Sequence, residues 1–232
     1  MRRKKLIALL LSLVMVFSLL PMMALADSTD PLALPGTPSG TLEVKLDGDD
    51  LNVDYYTVTY VADPIPAKGG MGDFSTDYQK MHIYVSERAT KDSPIILMVN
   101  NGGWMPSALS HKITNEGEYA SDSDTDVIGA ALDAGYVIVN MGTRSRGLKD
   151  EAGNYVGHSP AVVTDVKAGI RYLRYNAGLG LLPAGNTDRI IVTGTSGGGG
   201  LSVAVAASGN SPDYYPYLYE IGAAGGSYDN DN

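Results

Sequence analysis

The chain has 232 residues, a net charge of −9 at neutral pH and no cysteine. The lack of cysteine excludes disulfides, thiolate nucleophiles and zinc held by thiolates. The acidic balance argues against nucleic acid or an anionic membrane as a binding partner.

The first 26 residues have the layout of a secretory signal peptide. A basic start at 2–5 precedes an apolar run at 6–20, and small residues follow up to Ala26. We expect cleavage after Ala26 and export of a protein that is free of the membrane, with 206 residues and a net charge of −13. The alternative is an uncleaved membrane anchor, but the apolar run is shorter than the ~20 residues that span a bilayer.

Residues 27–40 are rich in proline, glycine, serine and threonine, which predicts a flexible leader. One domain is expected at 41–232. Its first part contains strand-like runs at 41–46, 55–61 and 79–85, and the run at 55–61 is dense in β-branched and aromatic residues. We expect these runs to form the antiparallel edge of a sheet.

Three continuous apolar runs, at 94–99, 136–139 and 190–192, are typical of strands buried on both faces of a parallel sheet. Helical patterns lie between them, one at 126–134 and one that begins at an N-cap at Ser159. Alternating strands and helices predict an α/β fold, with a mainly parallel sheet and helices on both faces.

The segment Gly194-Thr-Ser-Gly-Gly198 joins the last apolar run to a helix of small residues. A G-x-S-x-G turn between strand and helix exposes a serine hydroxyl on strained backbone, so Ser196 is the candidate nucleophile. The N–H of Gly197, at the helix N-terminus, is the candidate donor to an oxyanion. The alternative is a glycine-rich turn that opens an ordinary helix.

A phosphate-binding loop is the other alternative for this turn. A Walker-type loop needs a lysine followed by serine or threonine, which is absent here. In a dinucleotide fingerprint, Ser196 would occupy the glycine position that lets the pyrophosphate approach. The turn therefore predicts no nucleotide cofactor, and we expect neither a cofactor nor a metal to bind this chain.

A second glycine pair follows the apolar run at 94–99. Gly102 and Gly103 stand where serine esterases of this architecture place a loop that donates a second N–H to the oxyanion. A loop that contains two glycines by chance is the alternative. Two such loops at the ends of neighbouring parallel strands favour the oxyanion interpretation.

Taken together, several stretches resemble bacterial tannases of the α/β-hydrolase fold and their esterase relatives. The similarity covers roughly 55–226, most of the chain after the expected cleavage site. The stretches that carry it lie at 79–85, 102–106, 159–176, 186–191 and 194–202.

The resemblance implies a small-molecule substrate, a galloyl or related phenolic ester, cleaved through an acyl-enzyme by a Ser-His-Asp triad. It implies Ser196 as nucleophile, Gly197 as one oxyanion donor, and Gly102 or Gly103 as the other. A feruloyl or acetyl esterase acting on plant polysaccharide fits the same residues. An exopeptidase of the same fold is a further alternative.

The chain departs from this family in its histidines. His82, His111 and His158 all precede Ser196, whereas the order in α/β-hydrolases is serine, acid, histidine. We therefore expect the triad acid and histidine outside this chain, which we interpret as the N-terminal part of a longer enzyme, inactive by itself. A non-catalytic truncated chain is the alternative.

Two arginines, Arg144 and Arg146, follow a predicted strand end near the proposed site. They could bind an acidic group of the substrate. Surface solvation or a structural ion pair is the favoured interpretation for both.

Overall fold

The computed structural model describes residues 30–225, so the predicted signal peptide lies outside the described residues. No helix in that range is long and apolar enough to cross a membrane. The β-strands are β1 (Gly40–Leu46), β2 (Asp49–Thr59), β3 (Lys68–Gly69), β4 (Lys80–Ser86), β5 (Ile95–Val99), β6 (Glu118–Tyr119), β7 (Val137–Met141), β8 (Leu148–Lys149) and β9 (Ile190–Thr193). The α-helices are α1 (Val127–Asp133), α2 (Ala161–Gly178), α3 (Gly197–Ser208) and α4 (Tyr215–Glu220).

Seven of the described strands form one sheet in the order β6-β1-β2-β4-β7-β5-β9, and β3 pairs with β8 separately. The neighbours β7, β5 and β9, which contain the three apolar runs, are parallel. The pairings of β1 with β2, β2 with β4 and β4 with β7 are antiparallel, as expected for the early strands. The sheet is therefore mixed, where the sequence predicted a mainly parallel one.

Helices cover both faces of the sheet, as predicted. One apolar cluster joins β4, β5 and β7 to α2, α3 and α4 through residues such as Leu97, Val166 and Leu201. The opposite cluster joins the same strands to α1 through Ile138 and Leu132. Because side chains alternate along a strand, neighbouring residues of β4, β5 and β7 enter different clusters.

The described part of the predicted leader contacts the domain. Leu34 is buried, and its N–H donates to Oδ1 of Asn176 at 2.6 Å. Nδ2 of Asn176 donates in turn to the carbonyl oxygen of Leu32 at 2.9 Å. This part of the segment therefore differs from the expected flexible leader, because a buried asparagine side chain on α2 binds its backbone.

The N-terminus of α2 also differs from its prediction. Pro160, expected in the first helical position, is the N-cap, and no side chain caps the helix. The Pro160 carbonyl oxygen accepts from the N–H groups of Val163 and Thr164, both at 3.0 Å. The predicted cap at Ser159 is therefore wrong by one residue.

Candidate active site

Ser196 occupies a sharp turn between the end of β9 and the start of α3. Its backbone has φ 55° and ψ −118°, a conformation that costs free energy for a residue with a side chain. The residue is exposed. The predicted strand, turn and helix around this serine are therefore all present, and its hydroxyl is accessible.

Glycine is required around this serine because neighbouring backbone passes very close. A Cβ atom built on Gly194 or on Gly198 would lie 2.6 Å from the carbonyl oxygen of Val99, at the end of β5. A Cβ on Gly200 would lie 2.9 Å from the ring of Trp104. Gly200 thus makes room for the indole ring of Trp104.

The two predicted oxyanion loops meet at Gly197. Residues Gly102–Trp104 form a 3₁₀ turn after β5 that is kinked at Gly103, whose φ of 60° and ψ of 21° are not helical. A Cβ built on Gly197 would lie 2.7 Å from the nitrogen of Trp104 and 3.1 Å from the nitrogen of Gly103. The fold therefore brings the segment after β5 into direct contact with the residue that follows Ser196.

Two N–H groups of the 3₁₀ turn are already paired. The N–H of Trp104 donates to the carbonyl oxygen of Asn101 at 2.9 Å, and the N–H of Met105 donates to the carbonyl oxygen of Gly102 at 3.1 Å. By contrast, the N–H groups of Gly102, Gly103 and Gly197 donate to no residue in the range 30–225. Unpaired donors beside an exposed serine can stabilise a negatively charged oxygen.

A buried side-chain pair fixes the start of this loop. Nδ2 of Asn101 donates to Oγ1 of Thr143 at 2.7 Å and to the carbonyl oxygen of Met105 at 2.9 Å. Oγ1 of Thr143 donates to Oδ1 of Asn101 at 3.0 Å. Asn101 and Thr143 are fully buried. No sequence pattern indicates this pair, because its members lie on separate loops 42 residues apart.

Arg144 forms a structural ion pair, in agreement with the favoured interpretation. Its guanidinium donates to both carboxylate oxygens of the fully buried Asp165 at 2.8–3.2 Å, and its backbone N–H donates to the same group at 2.7 Å. Burial raises the pKa of Asp165, and the contacts with Arg144 oppose this rise. The guanidinium of Arg144 is therefore engaged in a buried ion pair, which links α2 to the segment that follows β7.

His82 and His111 form a stacked pair on the far face of the sheet from α3. Their ring centroids are 4.3 Å apart, and Nδ1 of His82 lies 2.9 Å from Oγ1 of Thr57. Burial, with a smaller contribution from the charge of His111, lowers the pKa of His82 to about 4. His82 shares its face with Tyr84, which belongs to the cluster with α1. His82 and His111 are therefore separated from α3 by the sheet.

His158 is exposed and stacks on Tyr155, with ring centroids 4.9 Å apart. It makes no hydrogen bond with Ser196 in the structure. Within 30–225, no group of three or more histidine, aspartate or glutamate residues could hold a metal ion. The described residues thus place Ser196 and the unpaired N–H group of Gly197 against the loop that carries Gly103, and none of the three histidines forms a hydrogen bond with the serine.

Comparison with known proteins identifies one family and one group of structures. The BD-FAE family matches residues 81–220. The tannase of Fusobacterium nucleatum is 34% identical over 84% of this chain, with a TM-score of 0.70. The tannin acyl hydrolase of Lactobacillus plantarum is 27% identical over 86%, with a TM-score of 0.68. A tannin acyl hydrolase in complex with ethyl gallate is 28% identical over 86%, also with a TM-score of 0.68.

The chain spans about two fifths of these solved structures, 39% of the Fusobacterium protein, 42% of the Lactobacillus protein and 43% of the ethyl gallate complex. No curated protein sequence matches it.

Proposed function

The chain belongs to the BD-FAE family and has the α/β-hydrolase fold of the tannases that it resembles, and on that premise we propose that it carries the nucleophile of a serine carboxylic-ester hydrolase. One observation carries this proposal: Ser196 is exposed on strained backbone and is followed by Gly197, whose unpaired N–H group stands beside the loop that carries the unpaired N–H group of Gly103. This arrangement supplies a nucleophile and two donors for the oxygen that becomes negatively charged when an ester carbonyl is attacked.

In the proposed reaction, Oγ of Ser196 attacks the ester carbonyl carbon and loses its proton to a base. The N–H groups of Gly197 and Gly103 donate to the resulting oxyanion. Collapse of this intermediate breaks the bond to the alcohol, which takes the proton from the base, and leaves an acyl-enzyme. Water then attacks the acyl group, the base takes its proton and returns it to Oγ, and the acid is released.

The base of this reaction is proposed to lie outside the 232 residues. Two of the histidines, His82 and His111, lie on the far face of the sheet, and His158 stacks on Tyr155. The short length of the chain relative to the tannase structures supports the same proposal. The chain alone should then be inactive, because no group takes the proton of Ser196, a role worth about 10²–10⁴ in rate.

The proposed substrates are galloyl esters and related phenolic esters. The similarity to tannases, one of them described in complex with ethyl gallate, supports this class. Esters of ferulate are the second candidate, because BD-FAE is a feruloyl-esterase type of family and its match covers the segment that contains Ser196. Both classes share an aromatic acyl group and differ in the chain between ring and carbonyl.

The product of the complete gene should hydrolyse methyl gallate or methyl ferulate, and Ser196→Ala should abolish this turnover. The ratio of kcat/KM values for the two esters distinguishes the substrate classes. The chain at 27–232, assayed in parallel, should be inactive. Turnover by the complete product that survives Ser196→Ala would contradict the proposed nucleophile, and turnover by 27–232 would contradict the proposed location of the base.

Export is also proposed, from the basic start and the short apolar run at 6–20. N-terminal sequencing of the secreted protein should begin at Asp27. Recovery only from the membrane fraction, with the first residues still present, would favour the uncleaved anchor instead.

A further inference from the structure

The loop that carries Gly102 and Gly103 is attached to the segment that follows β7. Ser107 and Thr143 exchange backbone hydrogen bonds at 2.8 and 3.1 Å. The side chains of Asn101 and Thr143 add further hydrogen bonds. Ser145 and Arg146, which follow shortly after Thr143, also donate hydrogen bonds to this loop. The segment 143–146 therefore forms one side of the proposed oxyanion loop.

Ser145 is connected to the unpaired N–H of Gly103 through two peptide groups. Its Oγ donates to the carbonyl oxygen of Trp104 at 2.7 Å. The N–H of the same peptide group, that of Met105, donates to the carbonyl oxygen of Gly102 at 3.1 Å. The N–H on the opposite side of that second peptide group belongs to Gly103. Since C=O and N–H point in opposite directions across a trans peptide, holding the Gly102 oxygen aims the Gly103 N–H.

Arg146 makes a parallel connection to the N–H of Gly102. Its Nε and Nη2 donate to the carbonyl oxygen of Gly103 at 3.3 and 3.0 Å. The N–H of that peptide group, that of Trp104, donates to the carbonyl oxygen of Asn101 at 2.9 Å. The opposite side of the Asn101 peptide group carries the N–H of Gly102. Two successive side chains thus orient the two unpaired glycine N–H groups of the loop.

We propose that Ser145 is a positioning residue for the oxyanion donor Gly103, and that Arg146 supports the same loop from the solvent side through Gly102. This inference rests on the proposed function. Ser145 touches no reacting atom. It fixes the direction of one peptide group, and hydrogen bonding to each carbonyl strengthens the N–H of the same peptide as a donor. Ser145 is buried, so bulk water competes little with its hydrogen bond to Trp104.

The test compares variants of the complete gene product with an aryl ester as substrate. Ser145→Ala should lower kcat by a factor of about 10, less than the ~10²–10³ for loss of an oxyanion donor itself, with KM within twofold. The affinity for phenylboronic acid, which forms a tetrahedral adduct, should fall by a similar factor, whereas the affinity for gallate should not change. Ser145→Thr, which keeps the hydroxyl, should recover part of both losses.

Ser208→Ala is the matched control, because Oγ of Ser208 donates to the carbonyl oxygen of Val205 at the far end of α3. It should leave all three quantities unchanged. If Ser145→Ala leaves kcat and boronate affinity unchanged, or weakens gallate and boronate equally, Ser145 is not a positioning residue. That failure is distinct from failure of the proposed function, which would appear as turnover that persists in Ser196→Ala.

Hydrogen exchange gives a measurement that is independent of turnover. Loss of the Ser145 hydroxyl should accelerate exchange of the Met105 N–H, and unchanged exchange would overturn the inference. If Ser145→Ala does not fold, the exposed Arg146 provides the test. Arg146→Ala should accelerate exchange of the Trp104 N–H and lower boronate affinity, while the exposed control Arg174→Ala should not. An unchanged Trp104 N–H in Arg146→Ala would overturn the proposal.

Discussion

Gly197 and Asn101 are in direct contact, so that a Cβ atom on Gly197 would overlap the carbonyl oxygen of Asn101. This contact joins the turn that holds Ser196 to the 3₁₀ turn that holds Gly103. The backbones of the two loops therefore pack directly against each other. A single added methyl group at this point should separate the serine from one of its two proposed oxyanion donors.

Gly197→Ala should therefore lower kcat of the complete gene product by about 10², the cost of a displaced oxyanion donor. It should also reduce the free energy of unfolding by about 1–3 kcal/mol, because the backbone must shift to accommodate the Cβ. Gly178→Ala is the control, since a Cβ there would meet nothing within 4 Å. It should leave kcat unchanged, and urea unfolding should show equal or slightly greater stability. Normal kcat in Gly197→Ala would contradict the described contact.

The buried pair of Arg144 and Asp165 gives a second prediction. Asp165→Asn leaves the guanidinium without a carboxylate, and breaking a buried pair on one side costs about 3–5 kcal/mol. The exposed pair of Arg88 and Asp133, with an N–O distance of 2.9 Å, is the comparison. Asp133→Asn should cost less than about 1 kcal/mol, because solvent screens this pair. Denaturant unfolding measures the loss of unfolding free energy in each variant. Equal losses in Asp165→Asn and Asp133→Asn would show that burial does not determine how much an ion pair contributes to stability.

The stacked histidines predict a pH dependence of stability. The pKa of His82 is about 4 in the folded protein and about 6.5 when exposed. Between these values the unfolded chain binds a proton that the folded chain does not, so the free energy of unfolding should fall as pH falls from 6.5 to 4. The loss from His82 stays below about 3.4 kcal/mol, the full equivalent of the difference between these two pKa values, because nearby solvent screens the charge of the ring.

His82→Asn, whose amide can still contact Thr57, should make the unfolding free energy less dependent on pH in that window. His158→Asn, at the exposed histidine, is the control. Unfolding curves at several pH values measure the slope. An unchanged slope in His82→Asn would show that another group dominates the titration.

The outer edge of β9 predicts the behaviour of the chain expressed alone. In the described residues β9 pairs only with β5, and Ile191 on this strand is 47% exposed. An exposed apolar edge strand pairs readily with other chains. The segment 27–232 should therefore self-associate, and Ile191→Lys should increase its monomeric fraction in analytical ultracentrifugation. A monomeric 27–232 without the substitution would contradict this expectation.

The central strands and the serine turn could be predicted because their signals are local. Apolar runs at 94–99, 136–139 and 190–192 match β5, β7 and β9 within two residues, since a strand buried on both faces has apolar residues throughout. The turn at Ser196 was visible because glycine is needed wherever backbone passes backbone. Two-residue strands such as β6 and β8 carry no periodic pattern, so the sequence did not predict them.

The contacts that support the site could not be predicted, because each joins residues far apart in the chain. Asp165 belongs to a helix that the sequence pattern predicts, but nothing in its spacing indicates Arg144 as its partner. The sequence favoured solvation or an ion pair for Arg146, and it carried no signal for Ser145. Their contacts with Trp104 and Gly103 depend on the pairing of β5 with β7, which places the ends of the two strands side by side.

The most direct test of the central claim is covalent labelling of Ser196 in the complete gene product. A fluorophosphonate probe should react with one serine, and mass spectrometry should locate the adduct on the peptide that contains Ser196. The Ser196→Ala variant should remain folded and unlabelled, with turnover reduced by about 10⁶. Ser202→Ala, which removes a neighbouring hydroxyl that donates to the Gly198 carbonyl oxygen, should still be labelled. Labelling that persists in Ser196→Ala, or an adduct on another serine, would contradict the account.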